Sequence, residues 1–530
     1  MTTRTASDAL RVARVAARSR LWQPRRPDRW VGAALALRRF GNGLAGAVSS
    51  AASLYGRDTA VVDPERTLTF SELEGHSNAL AHALVNHGIG RGSVVGMLAR
   101  NHAGFLEAAA GVAKTGADLL LLNTEMAAPQ LRDVCAREHA GLVIHDDDLA
   151  DRFEEAGGVR VMPMSRVADL ASTHTTAALP SVPPGRTIIL TSGTTGTPKG
   201  AERDVAPRQL ATAVAALGLF DTIPYRGGDT MLVAAPLFHA WGYAHATIGL
   251  TLGCTTVLRP RFDAEATVAT IAERRVHVLV AVPVMLTRLL ALPESVRAEL
   301  DTSSLRLVPL SGSALPNGLA AAFMDAFGDV LYNLYGSTEV GSVTIATPAD
   351  LRDAPGTAGR AVPGIELRIV DDEGRPLAAG ERGHIAVHSP LTFEQYTDGT
   401  SRRAVDGYML TGDTGHLDAA DRLFVDGRDD DMIVSGGENV YPSEIEHLLE
   451  SHPDVADVAV VGVDDPDFGA RLHAYVVRTP TGEHLDADAV RDYVRAHLAR
   501  FKVPRDVTFL DTLPRNAAGK VVKRELPTTS

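Results

Sequence analysis

The chain has 530 residues, 45% hydrophobic and 22% charged, the balance of a globular protein long enough to divide into more than one domain. Its net charge of -13 argues against the basic footprint of a nucleic-acid binder, though local charge at a small-molecule site can oppose the global sign. Its two cysteines, Cys135 and Cys254, stand in no metal-ligand spacing; they fit a reducing compartment, or two small buried apolar residues.

The N-terminus departs from the acidic balance. Arg4, Arg11, Arg14, Arg18, Arg20, Arg25, Arg26 and Arg29 crowd the first thirty residues against Asp8 and Asp28, with Leu10, Val12, Val15, Leu21 and Trp22 interleaved. No continuous apolar stretch follows them, so no secretory signal is expected. The segment reads either as a basic helix lying on an acidic body or as a surface-seeking helix drawn to anionic lipid. No run of about eighteen apolar residues is free of charges and breakers. Residues 238–258 come nearest, and with His239 and His245 among them they read as core.

From residue 67 the pattern alternates. A strand over 67–70 precedes a helix over 71–84, with Ser71 as N-cap and Glu74 in the capping-box position. A strand at 93–98, a helix at 104–114 and strands at 118–122, 141–145 and 187–190 follow. Such alternation predicts an α/β fold of parallel sheets with helices on their faces. Beyond Gly364, short strands at 365–370, 383–388 and 423–425 between Gly, Pro and Asp turns predict a small antiparallel or barrel-like part. The last hundred residues form an α+β unit: a helix over 443–451 capped by Ser443 with Glu446, strands at 455–463 and 472–478, and a helix over 485–499 before a lysine-bearing loop. The expected organisation is a basic extension (1–45), a large domain (46–426), a hinge (427–431) and a small mobile cap (432–530). No repeat of solenoid length is present.

One segment dominates the chemistry: Thr191-Ser192-Gly193-Thr194-Thr195-Gly196-Thr197-Pro198-Lys199-Gly200. Small residues let backbone N–H groups and hydroxyls approach phosphate oxygens, and Lys199 adds charge. The order is not that of a Walker A loop.

This segment resembles the phosphate loop of the superfamily of acyl-CoA synthetases, firefly luciferase and peptide-synthetase adenylation domains, and the likeness runs from about residue 50 to about 525. Tyr335-Gly336-Ser337-Thr338-Glu339 is similar to its second nucleotide motif, which implies a ring flanking adenine, Thr338 on the α-phosphate, and Glu339 with Thr191 on Mg²⁺. Gly312, Ser313 and Ala314, within Ser311-Gly312-Ser313-Ala314-Leu315-Pro316, resemble the adenine-side loop. The likeness adds Asn333 to the ATP set, and gives Gly312 and Gly336 a share in the acyl pocket. Tyr408-Met409-Leu410-Thr411-Gly412-Asp413 implies Asp413 on the ribose hydroxyls, Arg428 resembles the arginine on ribose and phosphate, and Asp430 matches the hinge. Gly436 and Gly437 would line a coenzyme A tunnel. Lys520, in Pro514-Arg515-Asn516-Ala517-Ala518-Gly519-Lys520, resembles the catalytic lysine of the small domain.

The resemblance implies a cytoplasmic enzyme using ATP, Mg²⁺ and coenzyme A. It would join a carboxylic acid to AMP, releasing pyrophosphate, and then transfer the acyl group to coenzyme A. Lys520 and Lys199 are the expected catalytic cations. In Phe238-His239-Ala240-Trp241-Gly242-Tyr243, the residues His239, Trp241 and Tyr243 are expected to line the acyl pocket. His239 reads as a gate on the acyl or thiol path, or as a core histidine. It stands where amino-acid-activating members usually carry an aspartate, so amino acids are not expected. The wording is nearest to bacterial medium- and long-chain fatty-acid ligases. The alternative is an enzyme acting on an aryl acid, or passing its adenylate to a carrier protein or another acceptor, nitrite included. No nucleic-acid partner is expected, and the basic N-terminus offers a weak membrane-surface contact.

Overall fold

The computed structural model describes residues 14–19, 26–126, 128–154, 159–191, 199–201, 218–316, 318–337, 339–390, 392, 403–428, 433–435, 438–465, 469–498, 502–516 and 519–527. Two parallel sheets form the body of the large domain. In the first, Arg160–Pro163, Ala140–His145, Val94–Leu98, Asp118–Leu121 and Thr187–Thr191 lie side by side in that order, all parallel, and Lys199–Ala201 adds antiparallel at the edge. In the second, Val278–Val280, Thr230–Val233, Thr255–Leu258 and Thr59–Val62 run parallel, with Thr67–Thr69 antiparallel at the edge. Their Val-, Ile- and Leu-rich wording reflects burial on both faces; Val95, Met97 and Leu98, for example, are wholly buried.

The helix after the first hairpin starts earlier than Ser71. It spans Phe70–Asn86, and Thr69 is its N-cap: Thr69 Oγ1 accepts from Glu72 N–H, and Glu72 Oε2 accepts from Thr69 N–H at 2.7 Å. Both Thr69-x-x-Glu72 and Ser71-x-x-Glu74 have the capping-box pattern. The earlier register prevails because Glu74 is needed elsewhere. The Lys114 ammonium is wholly buried and donates to Glu74 Oε2 (2.6 Å), Ser77 Oγ (2.7 Å) and Asn78 Oδ1 (2.8 Å). A buried ammonium without such partners would cost several kcal/mol.

A third sheet takes Val308–Leu310 parallel to Leu331–Ser337, followed by antiparallel Gly341–Ala346 and Arg360–Ala361. Bridges from Val278 to Leu307 and from Ala281 to Leu310 join it to the second sheet. The expected barrel-like part is an antiparallel sheet of Glu366–Val370, Gly383–His388, Tyr408–Leu417, Ala404–Val405 and Leu423–Arg428.

The C-terminal unit has a separate core, including Ile445, Leu449, Val460, Val476, Val490 and Val494. Its sheet joins Glu438–Val440, Ile433–Ser435, Gly469–Arg478 and Val455–Asp465, with Asp506–Leu510 parallel to Gly469–Arg478. Its first helix spans Pro442–Glu450, so the N-cap is Tyr441 and not Ser443. Proline at the first helical position forgoes an N–H that has no helical partner there. Glu446, freed from capping, accepts from Val460 N–H at 2.7 Å.

Residues 14–18 are helical, and Val15 and Ser19 are buried. Arg18 donates to Asp221 O and Gly227 N–H to Ser19 O, so this part of the arginine-rich segment lies on the body. The following helix, Pro27–Phe40, buries Ala33 and Phe40. No helix among the described residues is long and apolar enough to cross a membrane. Cys135 and Cys254 are buried and free.

Candidate active site

The phosphate-loop segment begins at the carboxyl end of a parallel strand, where open α/β sheets bind ligands. Strand Thr187–Thr191 pairs antiparallel with Lys199–Ala201, and the register sets Lys199 across from Thr191. Ser192, Gly193, Thr194, Thr195 and Gly196 lie outside the described residues.

Strand Leu331–Ser337 carries Asn333, Tyr335, Gly336 and Ser337. The Tyr335 hydroxyl donates to Asp413 Oδ2 at 2.7 Å and to Thr411 Oγ1 at 3.2 Å. Asp413 lies on Tyr408–Leu417, in register with Arg428 on the neighbouring strand. The ring expected beside adenine thus touches the carboxylate expected on ribose, 78 residues away in sequence, and the backbone of Arg428 lies beside that carboxylate's strand. Gly336 admits no side chain, since a Cβ there would stand 2.1 Å from Gly341 O. Glu339 is buried, with its backbone N–H donating to Ser337 Oγ at 3.2 Å. Thr338, the Arg428 side chain, Asp430, Gly436 and Gly437 lie outside the description.

The described residues hold no cluster of three or more His, Cys, Asp or Glu that could cage a metal. The buried carboxylate of Glu339, together with a hard oxygen donor by type at Thr191, fits Mg²⁺, which takes one or two carboxylates and completes its shell with substrate phosphates and water.

The expected acyl segment begins a helix, Ala240–Thr251, with His239 at its N-cap. His239 Nε2 is buried with no hydrogen-bond partner among the described residues, and burial lowers its pKa to about 4. The Trp241 indole N–H donates to Ala281 O at 3.0 Å. Burial lifts the Tyr243 hydroxyl to about 12, offset in part by a hydrogen bond with the Thr187 side chain. Behind them a chain of buried polar groups joins His245, in the stretch expected to be core, to Tyr225. The Tyr225 hydroxyl meets His245 Nε2 at 2.7 Å, and His245 Nδ1 meets Trp241 O at 2.9 Å. A carbonyl only accepts, so Nδ1 carries the proton and Nε2 accepts from Tyr225. Only the buried polar side chains of an otherwise apolar stretch could have signalled this.

Gly312, at φ +100°, follows strand Val308–Leu310, and a Cβ there would lie 3.5 Å from Val282 Cγ1. Two residues on, Val284 receives the C-terminal unit: a Cβ on Gly519 would stand 2.4 Å from Val284 Cγ1. The turn carrying Lys520 is closed by Asn516, whose backbone N–H donates to Lys520 O (2.9 Å) and whose Oδ1 accepts from Lys520 N–H (2.9 Å). Arg515 braces it, donating to Gly519 O and to Asp457 Oδ2, each at 2.6 Å. The structure therefore brings the Lys520 turn against the segment 282–284, which also backs the Gly312 loop.

Residues 48–397 match a family described as AMP-binding enzyme, and residues 444–520 match the AMP-binding enzyme C-terminal domain. Indoleacetate–CoA ligase of Aromatoleum aromaticum is 37% identical, covering 88% of this chain and 94% of the relative. Fatty acid–[acyl-carrier-protein] ligase ScoC of Streptomyces coeruleorubidus is 33% identical, covering 88% and 92%. Among solved structures, o-succinylbenzoate CoA synthetase from Bacillus subtilis, in complex with its acyl-adenylate intermediate, superposes with TM-score 0.80 at 28% identity, covering 91% and 98%.

Proposed function

Since this chain belongs to the AMP-binding enzyme family, we propose that it is an AMP-forming acid–thiol ligase that activates an aryl or arylalkyl carboxylic acid and passes the acyl group to coenzyme A. The observation that carries the adenylation is the seating of the Lys520 turn on residues 282–284, beside the Gly312 loop and on the same domain as the Tyr335–Asp413 contact.

A carboxylate and a triphosphate repel one another, so their reaction needs fixed positive charge where negative charge gathers. In the first half-reaction the acid's oxygen bonds to the α-phosphorus and pyrophosphate leaves. Lys520 bridges the carboxylate and α-phosphate, and Lys199 holds the departing phosphates. Asp413 and Arg428 fix the ribose, with Tyr335 flanking adenine. Glu339 and Thr191 would hold Mg²⁺, which would supply charge neutralisation at the phosphates. In the second half-reaction the thiol of coenzyme A bonds to the acyl carbon, and AMP leaves with the bonding electrons. Lys520 must withdraw for that, so the cap turns about the segment around Asp430 and brings Gly436 and Gly437 to the pantetheine path.

The aryl reading is supported by relatives named for indoleacetate and succinylbenzoate and by the rings of His239, Trp241 and Tyr243 in the acyl segment. The fatty-acid expectation keeps the support of a relative named as a fatty acid–acyl-carrier-protein ligase, which also favours transfer to a carrier protein, and of a solved fatty acyl CoA synthetase. A pyrophosphate-release screen decides between them: aryl acids against medium- and long-chain fatty acids, with coenzyme A, with a carrier protein, and with neither. Turnover of aryl acids that is fastest with coenzyme A is the expected result. Fatty-acid turnover dependent on a carrier protein would replace this reading with the second.

A further inference from the structure

Ahead of the acyl segment, the loop after strand Thr230–Val233 is gripped from the other sheet by a single side chain. Asn101 follows strand Val94–Leu98 of the first sheet and is only 4% exposed. Its Nδ2 donates to Val233 O (3.1 Å) and Ala235 O (2.9 Å), and its Oδ1 accepts from Leu237 N–H (2.8 Å). Three partners on one five-residue stretch leave that stretch little freedom. The neighbours of Asn101 are anchored the opposite way: Arg100 N–H and Nη1 donate to Asp146 Oδ2 (3.0 and 3.1 Å), and His102 Nε2 lies 2.8 Å from Asp146 Oδ1. Residues 100 and 102 thus hold the first sheet while residue 101 reaches the second.

The gripped loop in turn bears on the acyl helix. His239 N–H donates to Pro236 O at 3.1 Å. Gly242, in the first turn of that helix, has no room for a side chain: a Cβ would stand 2.3 Å from Pro236 O and 2.6 Å from Ala235 O. Displacement of the loop therefore displaces His239 and Trp241.

We infer that Asn101 is a positioning residue for the acid site: its carboxamide fixes the 233–237 loop and through it the placement of His239 and Trp241. The inference deepens the proposed function and rests on it for the identity of the pocket. Asn101 touches neither the phosphate hairpin nor the Tyr335–Asp413 pair in any of these contacts, so the predicted effect falls on the acid and not on ATP.

The test compares wild type with Asn101→Ala and with Asn101→Ser, which keeps one donor and one acceptor on a shorter side chain. Steady-state pyrophosphate release with the best acid from the screen should show the KM for the acid rising about tenfold in Asn101→Ala, the scale of a lost buried hydrogen-bonding group. The KM for ATP should change less than about twofold, and Asn101→Ser should fall between. A second readout needs no turnover. The chain has three tryptophans, Trp22, Trp30 and Trp241, so Trp22→Phe with Trp30→Phe leaves Trp241 as the single indole, and its emission should shift to the red when Asn101 is replaced. If Asn101→Ala fails to fold, Asn101→Ser carries both measurements. Equal rises in the two KM values, an unchanged acid KM, or unmoved Trp241 emission would each overturn the inference. Failure of the wild type to adenylate any acid would count against the proposed function instead, while Trp241 emission would still decide on the clamp.

Discussion

His245 has to be uncharged where it lies. With Nδ1–H bonded to Trp241 O and Nε2 accepting from Tyr225, the neutral ring has both nitrogens satisfied, whereas an imidazolium would be a buried charge with no carboxylate in these contacts. Burial accordingly lowers its pKa from 6.5 to about 4, as it does for His239. The sign of the consequence follows from proton counting. Between pH 6.5 and about 4 the unfolded chain binds more protons at these positions than the folded one, so stability falls as pH drops through that window and levels off below it. For His245 alone the loss amounts to about 3 kcal/mol at most. His245→Gln should therefore be less stable than wild type at neutral pH yet lose less on acidification, read as unfolding midpoints across the window; an unchanged pH slope would show that other groups set it. In the proposed mechanism Lys520 works in the opposite sense, as a charge that must be delivered. Lys520→Ala should lower acyl-AMP formation by about a hundred-fold or more, while thioester formation from supplied acyl-AMP and coenzyme A persists. Equal loss of both half-reactions would remove Lys520 from its assigned role.

Capping shows where sequence patterns reach their limit. Two overlapping boxes, at 69–72 and 71–74, satisfy the same local rule, and only the buried Lys114 decides between them, by claiming Glu74 from 40 residues away. Thr69→Ala should cost about 1 kcal/mol and Ser71→Ala less than half of that; urea unfolding of the two variants checks the assignment, and the reverse order would restore Ser71 as the cap. Ser443 failed as a cap for a related reason: Pro442 takes the first helical position and moves the cap to Tyr441. By contrast strands such as Val94–Leu98 and Gly383–His388 were legible almost residue by residue, because they are apolar and bounded by turn residues, whereas Thr59–Val62, Thr230–Val233, Thr255–Leu258 and Val278–Val280 of the second sheet went unread. The α/β class was legible from the alternation of strand and helix patterns, and the adenylate-forming chemistry from the resemblance that the ordered motifs carry. Illegible were the contacts that need three dimensions: Asn101 across two sheets, Tyr225 behind His245, and Val284 beneath Gly519. None of them stands in a motif, and each acts through a neighbour from a distant part of the chain.

The main core of the large domain and that of the C-terminal unit are separate, and the proposed chemistry depends on how the smaller body is seated on the larger. Gly519 is the point of contact where this can be tested. It holds φ +79°, a left-handed conformation that L side chains rarely adopt, and a Cβ would meet Val284 Cγ1 at 2.4 Å. Gly519→Ala thus strains the turn by about 1 kcal/mol and also pushes it off its seat. Val284→Trp leaves the cap's sequence intact and fills the seat from the other side, so any shared defect belongs to the docking and not to the turn itself. In both variants acyl-AMP formation should fall by more than about tenfold, since Lys520 is then held away from the forming O–P bond. Thioester formation from supplied acyl-AMP should stay within about threefold of wild type, because in the proposed cycle the cap leaves that seat for the second half-reaction. Single-turnover assays of the separate half-reactions read the two effects. A Val284→Trp enzyme that adenylates at the wild-type rate would mean that the lysine turn docks elsewhere during catalysis, and the role given to residues 282–284 would then have to be withdrawn even if Lys520→Ala behaved as expected.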